Sequence, residues 1–479
     1  MASISYALRN IGPAVVQAFT LLLCFGSGLL LDSLQHLGPT IVVLTTVLGM
    51  TLGRTQRHRG LRNRLFALVT LPVVSVACNE VARLFVQHPN VADTLFTAAI
   101  GLSIWLRRFG GRARRLGTLI ALPFVALLIT PVPVLPGEPI SIGRSMMWSA
   151  VAAVVAFCWV WAAQAAAERI GFVERAPEPR EAPTTASKGG RLPASTKMAV
   201  QTTLSLALAF FLGRTLFDPH WTWIVLTAFI VNSGNRGRGD VVYKCLLRIA
   251  GAGFGTIVAT LVAGLLQPRD NTAVAIILVV LVLGVWLRTI SYAYWAGCVT
   301  SVLSLLQGYF GEGDVGLIGE RLLQIVLGGA LAVAIAWFVL PVKSTPVLRR
   351  RLADCLTALA DVLKTAQNSP AEFEDKQQRF GECLAQLELV APSFVAHRRL
   401  QRLRGGDGRH PANAVDALRA CVGPVSVLAE QVTKNPDTLG DPDAANAIAR
   451  IRDSIRVVRE ILRATGHQAA KSPASPLKA

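Results

Sequence analysis

Two sets of polar side chains recur inside otherwise apolar stretches of this chain. Gln17, His36, Arg54 and Arg64 are followed, at a constant spacing of 184 residues, by Gln201, His220, Arg238 and Arg248. Matched Gln or Arg arise readily by chance. One pair among only seven histidines, in register with three other pairs, points instead to an internal duplication. The chemistry these types offer is anion handling. A guanidinium grips a carboxylate through two parallel N–H bonds. An imidazole changes charge between about pH 5 and 8. Beside His220, the indoles of Trp221 and Trp223 offer flat faces against which a ring can stack. Each type also has a plainer use. An arginine at a helix end snorkels to water, a histidine at the same level is a hydrogen-bonding partner, and an interfacial tryptophan anchors its helix among headgroups. Both readings stand open for all eight candidates: Gln17, His36, Arg64, Gln201, His220, Trp221, Trp223 and Arg248.

Other chemistry lacks its residues. There is no G-x-x-x-x-G-K-[ST] run, no H-E-x-x-H, no Ser/His/Asp set and no carboxylate pair on one face, so neither ATP drive nor hydrolysis is expected. Gly251, Gly253 and Gly255 make a Gly-x-Gly-x-Gly, but without the strand that a phosphate loop needs; close helix packing is the better reading. Eight scattered cysteines, with no C-x-x-C, spell neither a disulfide framework nor a zinc site. No enzyme activity, cofactor or metal is expected.

The elements that would carry these residues follow from composition. Of the 479 residues 52% are hydrophobic and only 16% charged, against about a quarter charged in soluble domains. The surplus of +19 would suit a nucleic-acid binder, but the basic residues sit in tight clusters between long apolar runs. That placement is the topology signal of a membrane protein. A bilayer core about 30 Å thick needs roughly 17–25 apolar residues per helix. Measured against that ruler, twelve candidate spans are read, some of them short, near 13–31, 38–53, 65–83, 91–106, 116–134, 146–166, 197–215, 220–233, 247–267, 272–288, 291–309 and 321–341. The first is read as an uncleaved helix, since no small-x-small site closes it.

Orientation follows from the short loops. Arg54–Arg64 and Arg107–Arg115 each carry five arginines and no acid, whereas Asp32, Glu138, Asp218, Asp270, Glu312 and Asp314 fall in the alternate loops. Basic loops inside place both termini in the cytoplasm. Arg214 and Asp218, flanking one span end, are expected to form a local salt bridge.

The expected fold is an all-α polytopic membrane protein with about twelve transmembrane helices as two parallel six-helix repeats, plus a C-terminal cytoplasmic helical domain. Residues 1–170 form the first repeat, and 171–195, rich in Pro, Ala and Glu, a flexible cytoplasmic linker. Residues 196–342 form the second repeat. Residues 343–470 carry apolar positions at three-and-four spacing, which predicts about four amphipathic helices near 345–367, 371–403, 412–433 and 442–465. A disordered tail, 471–479, follows. The second span of each half is unusually short, which in transporters built from repeats marks the binding site, or else reflects a locally thinned bilayer.

The run Met-Ala-Val-Gln-Thr-Thr-Leu-Ser-Leu-Ala-Leu-Ala-Phe-Phe-Leu-Gly, then His220-Trp221-Thr-Trp223-Ile-Val-Leu-Thr-Ala-Phe-Ile-Val, a basic loop and Arg248-Ile-Ala-Gly251-Ala-Gly-Phe-Gly255 carry a resemblance. They resemble the integral-membrane transporter domain of the fusaric acid resistance and aromatic acid exporter family. The specific part covers 197–342; residues 1–170 resemble it weakly, through the repeat. The resemblance implies efflux of organic, often aromatic, anions across the bacterial inner membrane, with a periplasmic adaptor as partner in some members. The large cytoplasmic domain that usually separates two transmembrane blocks is here a short linker. Three functions compete: a secondary exporter of organic anions, a passive anion channel lined by Arg64 and Arg248, and a membrane assembly component organised by 343–470. Its expected partners are the small organic anion and the lipid bilayer, with no nucleic acid.

Overall fold

Long apolar runs become helices because only a helix satisfies its own backbone N–H and C=O groups in hydrocarbon. The computed structural model describes residues 11–37, 39–55, 60–129, 142–173, 192–218, 220–263, 270–309, 317–368, 372–405, 410–434 and 442–471. The chain divides into two units, Met1–Asn235 with Lys244–Val342, and Arg236–Tyr243 with Lys343–Ala479. The short segment 236–243, expected to belong with the second set of spans, thus groups with the C-terminal part. Most of the expected linker, 174–191, and the tail beyond 471 lie outside the described residues.

In the first unit the helices are α1 (Ile11–Gln35), α2 (Pro39–Thr55), α3 (Leu61–Gln87), α4 (Pro89–Trp105), α5 (Gly111–Ile129) and α6 (Ile142–Arg169). A 3₁₀ turn, Leu106–Phe109, joins α4 to α5. Then follow α7 (Ala194–Leu216), α8 (Thr222–Asn232), α9 (Arg238–Ala263, of which the part from Lys244 belongs to this unit), α10 (Asn271–Leu287), α11 (Tyr292–Tyr309) and α12 (Leu317–Phe338). Helices α1, α3, α6, α7, α9 and α12 are long and apolar enough to cross a membrane; α2, α8 and α10 are apolar but shorter. On α9 the face carrying Phe254, Ile257 and Leu261 is 71%, 58% and 69% exposed, while Arg248, Gly251 and Gly255 are buried on the other. So large an apolar surface is stable against lipid, not water. This is a multi-pass helical membrane protein.

Packing partners correspond between the halves: α1 meets α2 and α6 as α7 meets α8 and α12, and α4 meets α5 as α10 meets α11. Ala92, Phe96, Ser103 and Ile104 are buried on α4, and Ala273, Ile277, Gly284 and Val285 at the same spacing on α10. A Cβ on Gly117 of α5 would collide with the Ser103 carbonyl on α4; one on Gly284 of α10 would come within 2.8 Å of Cys298 on α11. On α1 the buried Ala14, Thr20, Leu21, Cys24 and Gly28 superpose on buried Ala199, Ser205, Leu206, Ala209 and Gly213 of α7. That register is one residue away from the one aligning Gln17 with Gln201. One residue is about 100° around a helix, so the two glutamines do not point alike.

The second unit has more helices than the sequence pattern predicts. Among the described residues they are α13 (Ser344–Asn368), α14 (Phe373–Glu388), α15 (Ala391–Leu403), α16 (Pro411–Arg419), α17 (Val422–Lys434) and α18 (Pro442–Lys471). The expected 371–403 segment breaks at Leu389–Val390, and the 412–433 segment at Ala420–Cys421. Pro392 and Pro424 explain both breaks: a proline has no N–H to continue the preceding helix and is tolerated in the first turn of a new one, where each of them lies. On α13 Leu348, Leu352, Cys355, Leu359, Val362 and Ala366 follow three-and-four spacing into a core shared with Phe380, Leu387, Leu418, Ile451 and Val458. The apolar stretch Pro411–Val432 is long enough to cross a membrane, yet it is two helices whose Leu418 and Leu428 fill this core.

Candidate functional site

Among the eight candidates the glutamines serve the backbone. Gln17 donates Nε2–H to the Met50 carbonyl of α2 at 2.6 Å. Buried Gln201 donates to the carbonyls of Val339 and Leu340 at 2.7 and 3.2 Å. Those carbonyls end α12, where Leu340 turns left-handed at φ 48°; Gln201 supplies the donor that a terminating helix lacks. His36 is exposed and itself left-handed, at φ 52°, with its N–H bonded to the Asp32 carbonyl at 2.7 Å. It caps α1.

Both tryptophans are buried among protein side chains. Trp221 is 4% and Trp223 5% exposed. The Trp221 ring lies 5.2 Å from Phe85 and 5.3 Å from Phe210, centroid to centroid, and the Arg214 guanidinium sits 4.1 Å from its centre. Arg214 does not pair with Asp218 as expected. Its Nη2 and Nε donate to Asp93 on α4, at 3.0 and 3.3 Å, because the close packing of α4 on α7 brings that carboxylate nearer than the loop does.

A polar network that sequence reasoning missed lies on α8, α11 and α12. The Nη1 and Nη2 groups of Arg321, 9% exposed, donate to Ser304 Oγ and Gln307 Oε1. Its guanidinium lies 4.7 Å from the centre of the Trp223 ring. One turn along, fully buried Gln324 donates to Glu320 Oε1 at 3.0 Å, and the same oxygen lies 3.7 Å from His220 Nδ1. Glu320, Arg321 and Gln324 within one apolar helix were a readable signal, since ionisable groups inside a span are functional candidates by default.

Arg64 and Arg248 part company. Arg64 is half-buried in the first turn of α3, its amide bonded to the Gly60 carbonyl at 3.2 Å. Arg248 does not lead its helix as expected. It lies almost three turns inside α9 and is 1% exposed. Its Nε and Nη2 have no hydrogen-bond partner, and among the described residues no ion pair involves it. The glycines explain this depth. A Cβ on Gly251 would strike the Ala293 carbonyl and one on Gly255 the Gly297 carbonyl, while Gly253 faces open space. Helix α9 therefore lies close on α11, joined by the bond from Ser301 Oγ to the Gly255 carbonyl at 2.8 Å.

A cavity of about 460 Å³ separates α1 and α2 from α10 and α11. Phe25, Val47, Ile277, Leu281 and Leu303 line its depth, and Asp32, Asn271 and Tyr309, near helix ends, its rim. Among the described residues no group of His, Cys, Asp and Glu is arranged to hold a metal.

Residues 204–335 match the fusaric acid resistance protein-like family. The chain is similar to the multidrug resistance protein MdtO of Escherichia coli K12, 29% identical over 204 residues, which cover 39% of this chain and 29% of that protein. It is also similar to the protein of that name from Shigella flexneri, 32% identical over 148 residues, covering 29% of this chain and 22% of that one. The chain thus spans under a third of the length of these relatives.

Proposed function

We propose that this protein is a secondary exporter of small organic anions, aromatic acids among them, in a bacterial inner membrane. The observation that carries the reading is Arg248: a wholly buried guanidinium with two of its nitrogens, Nε and Nη2, unpartnered. An uncompensated buried charge costs several kcal/mol, so a ligand carboxylate that completes its fork is the natural partner. The family match over 204–335, which contains Arg248, and the name of the relatives support an efflux role. In this reading α1–α12 cross the bilayer as two parallel six-helix repeats, supported by corresponding packing partners and buried positions. Both termini and residues 343–470 face the cytoplasm, and Arg64 marks the entry level of the first repeat. A periplasmic adaptor is the partner that efflux across two membranes requires.

The test is efflux of radiolabelled benzoate from proteoliposomes, with and without an imposed pH gradient. Arg248→Lys keeps the charge and removes the fork, so it should slow flux; Arg248→Ala should slow it more, at equal protein levels. Full flux through well-folded Arg248→Ala would sink the anion pathway. Flux that ignores the pH gradient would make the protein a channel.

A further inference from the structure

The two places where the halves of the first unit meet are built alike but filled differently. At one, α4 packs on α7 and α5 on α8. At the other, α10 packs on α1, with α2 and α11 facing each other across the cavity. The first meeting is filled with rings: Phe96 lies 5.5 Å from Phe210 and 5.6 Å from Phe124, both edge-on. In the registers that superpose the buried faces, Phe96 corresponds to Ile277 and Phe210 to Phe25, and both Ile277 and Phe25 line the cavity. Two aromatic rings have one ring and one aliphatic chain as their counterparts.

Helix approach differs in the same sense. A Cβ on Gly101 of α4 would collide with the Thr203 hydroxyl of α7, so α4 seats closely only because that position is glycine. The corresponding residue of α10 is Val282, whose branched side chain forbids the same approach to α1. Aliphatic Ile277 in place of a ring, and branched Val282 in place of a glycine, accompany a cavity of about 460 Å³ at this meeting, a volume within the range of small-molecule sites.

We propose that this cavity is a binding site, separate from Arg248, for a fused aromatic ring carrying a neutral or cationic donor head. The ring takes the place that Phe96 occupies in the opposite half, beside Phe25 and among Val47, Ile277 and Leu303. The head meets the rim at Asp32, Asn271 and Tyr309. Among the described residues no Arg, Lys or His lines the cavity, so an anion brought here loses its water and finds no cationic partner. Arg248 is absent from the lining, and the site stands whether or not the anion pathway does.

Three probes with one ring and different heads test this on the full-length protein in detergent: 2-naphthylmethylammonium, 2-naphthalenemethanol and 2-naphthoate, each titrated by naphthyl fluorescence. The ammonium and the alcohol should bind, and the naphthoate roughly tenfold or more weakly. Ile277→Phe with Leu303→Phe should abolish binding by refilling the space. Met50→Trp, from the opposite wall, repeats the test should the double variant fold poorly. Asp32→Asn should lower affinity for the ammonium towards that of the alcohol and leave the alcohol unchanged. Wild-type binding in folded, cavity-filled variants overturns the site. Naphthoate binding as tightly as the ammonium overturns the ligand class. Stoichiometric displacement of the probes by added phosphatidylglycerol makes an acyl chain the occupant and also overturns it. The readout is binding without flux, so its failure and that of the export reading are told apart.

Discussion

The Arg214 guanidinium stands 4.1 Å from the centre of the Trp221 ring. It covers the indole's negative face, which no longer offers stacking surface, while its Nη2 bonds Asp93 at 3.0 Å. A cation between a carboxylate and a ring face has both partners it needs. One contact thus joins α4, α7 and the start of α8.

Breaking that contact should cost stability before it costs anything else. Asp93→Ala leaves Arg214 largely buried with its fork empty and should destabilise the protein by about 2–4 kcal/mol. Arg214→Met, which removes the charge and keeps the stem over Trp221, should cost less. Thermal melting in detergent, followed by tryptophan fluorescence, reads both. Equal melting of Asp93→Ala and wild type would remove the pair from the fold's supports.

Gln201 is a cap for α12. Gln201→Leu strands the Val339 and Leu340 carbonyls and should lower stability by about 1–3 kcal/mol. Flux per folded molecule should be unchanged. A variant that melts like wild type but transports poorly would move Gln201 into the transport pathway.

The glycines of α9 should separate cleanly. Gly251→Ala and Gly255→Ala drive a methyl into backbone carbonyls of α11 and should destabilise by about 1–3 kcal/mol. Gly253→Ala meets nothing and should be neutral or mildly stabilising, since alanine is the better helix former. Melting temperatures of the three single variants decide this. A destabilised Gly253→Ala would count against the packing described.

In the second unit His410 caps α16: its Nδ1 accepts the Ala412 N–H at 3.1 Å, and its Nε2 lies 3.0 Å from His397 Nδ1. With Nδ1 accepting, Nε2 must carry the proton and donate to His397. Burial, then the neighbouring His397 and Arg398, push the His410 pKa down from 6.5 to about 4. The unfolded chain therefore binds the proton first. The stabilisation is complete above about pH 6.5 and is lost as pH falls towards 4, by about 3 kcal/mol at most. His410→Asn keeps a cap without titrating. The gap in melting temperature between pH 7 and pH 5 should narrow in that variant, and an unchanged gap would assign the pH dependence elsewhere.

Much of the helical layout was written locally. Apolar runs of the right length become helices whatever surrounds them, because in hydrocarbon the backbone has no other donor or acceptor, and α1–α12 lie near the twelve expected spans. The breaks at Leu389–Val390 and Ala420–Cys421 were equally local, carried by Pro392 and Pro424, but periodicity alone ran across them. The Glu320, Arg321 and Gln324 network was half legible: the residues could be seen, but not the partners from α8 and α11. What tertiary structure alone decided is which face of each helix meets which neighbour. Arg214 finds Asp93 across 121 residues, and Arg248 is buried at full depth because two glycines let α9 sink against α11. At the meeting that holds the cavity, Ile277 and Val282 stand where the other half has Phe96 and Gly101. Helical period specifies a face; the register between helices far apart in sequence comes from packing, which no local pattern encodes.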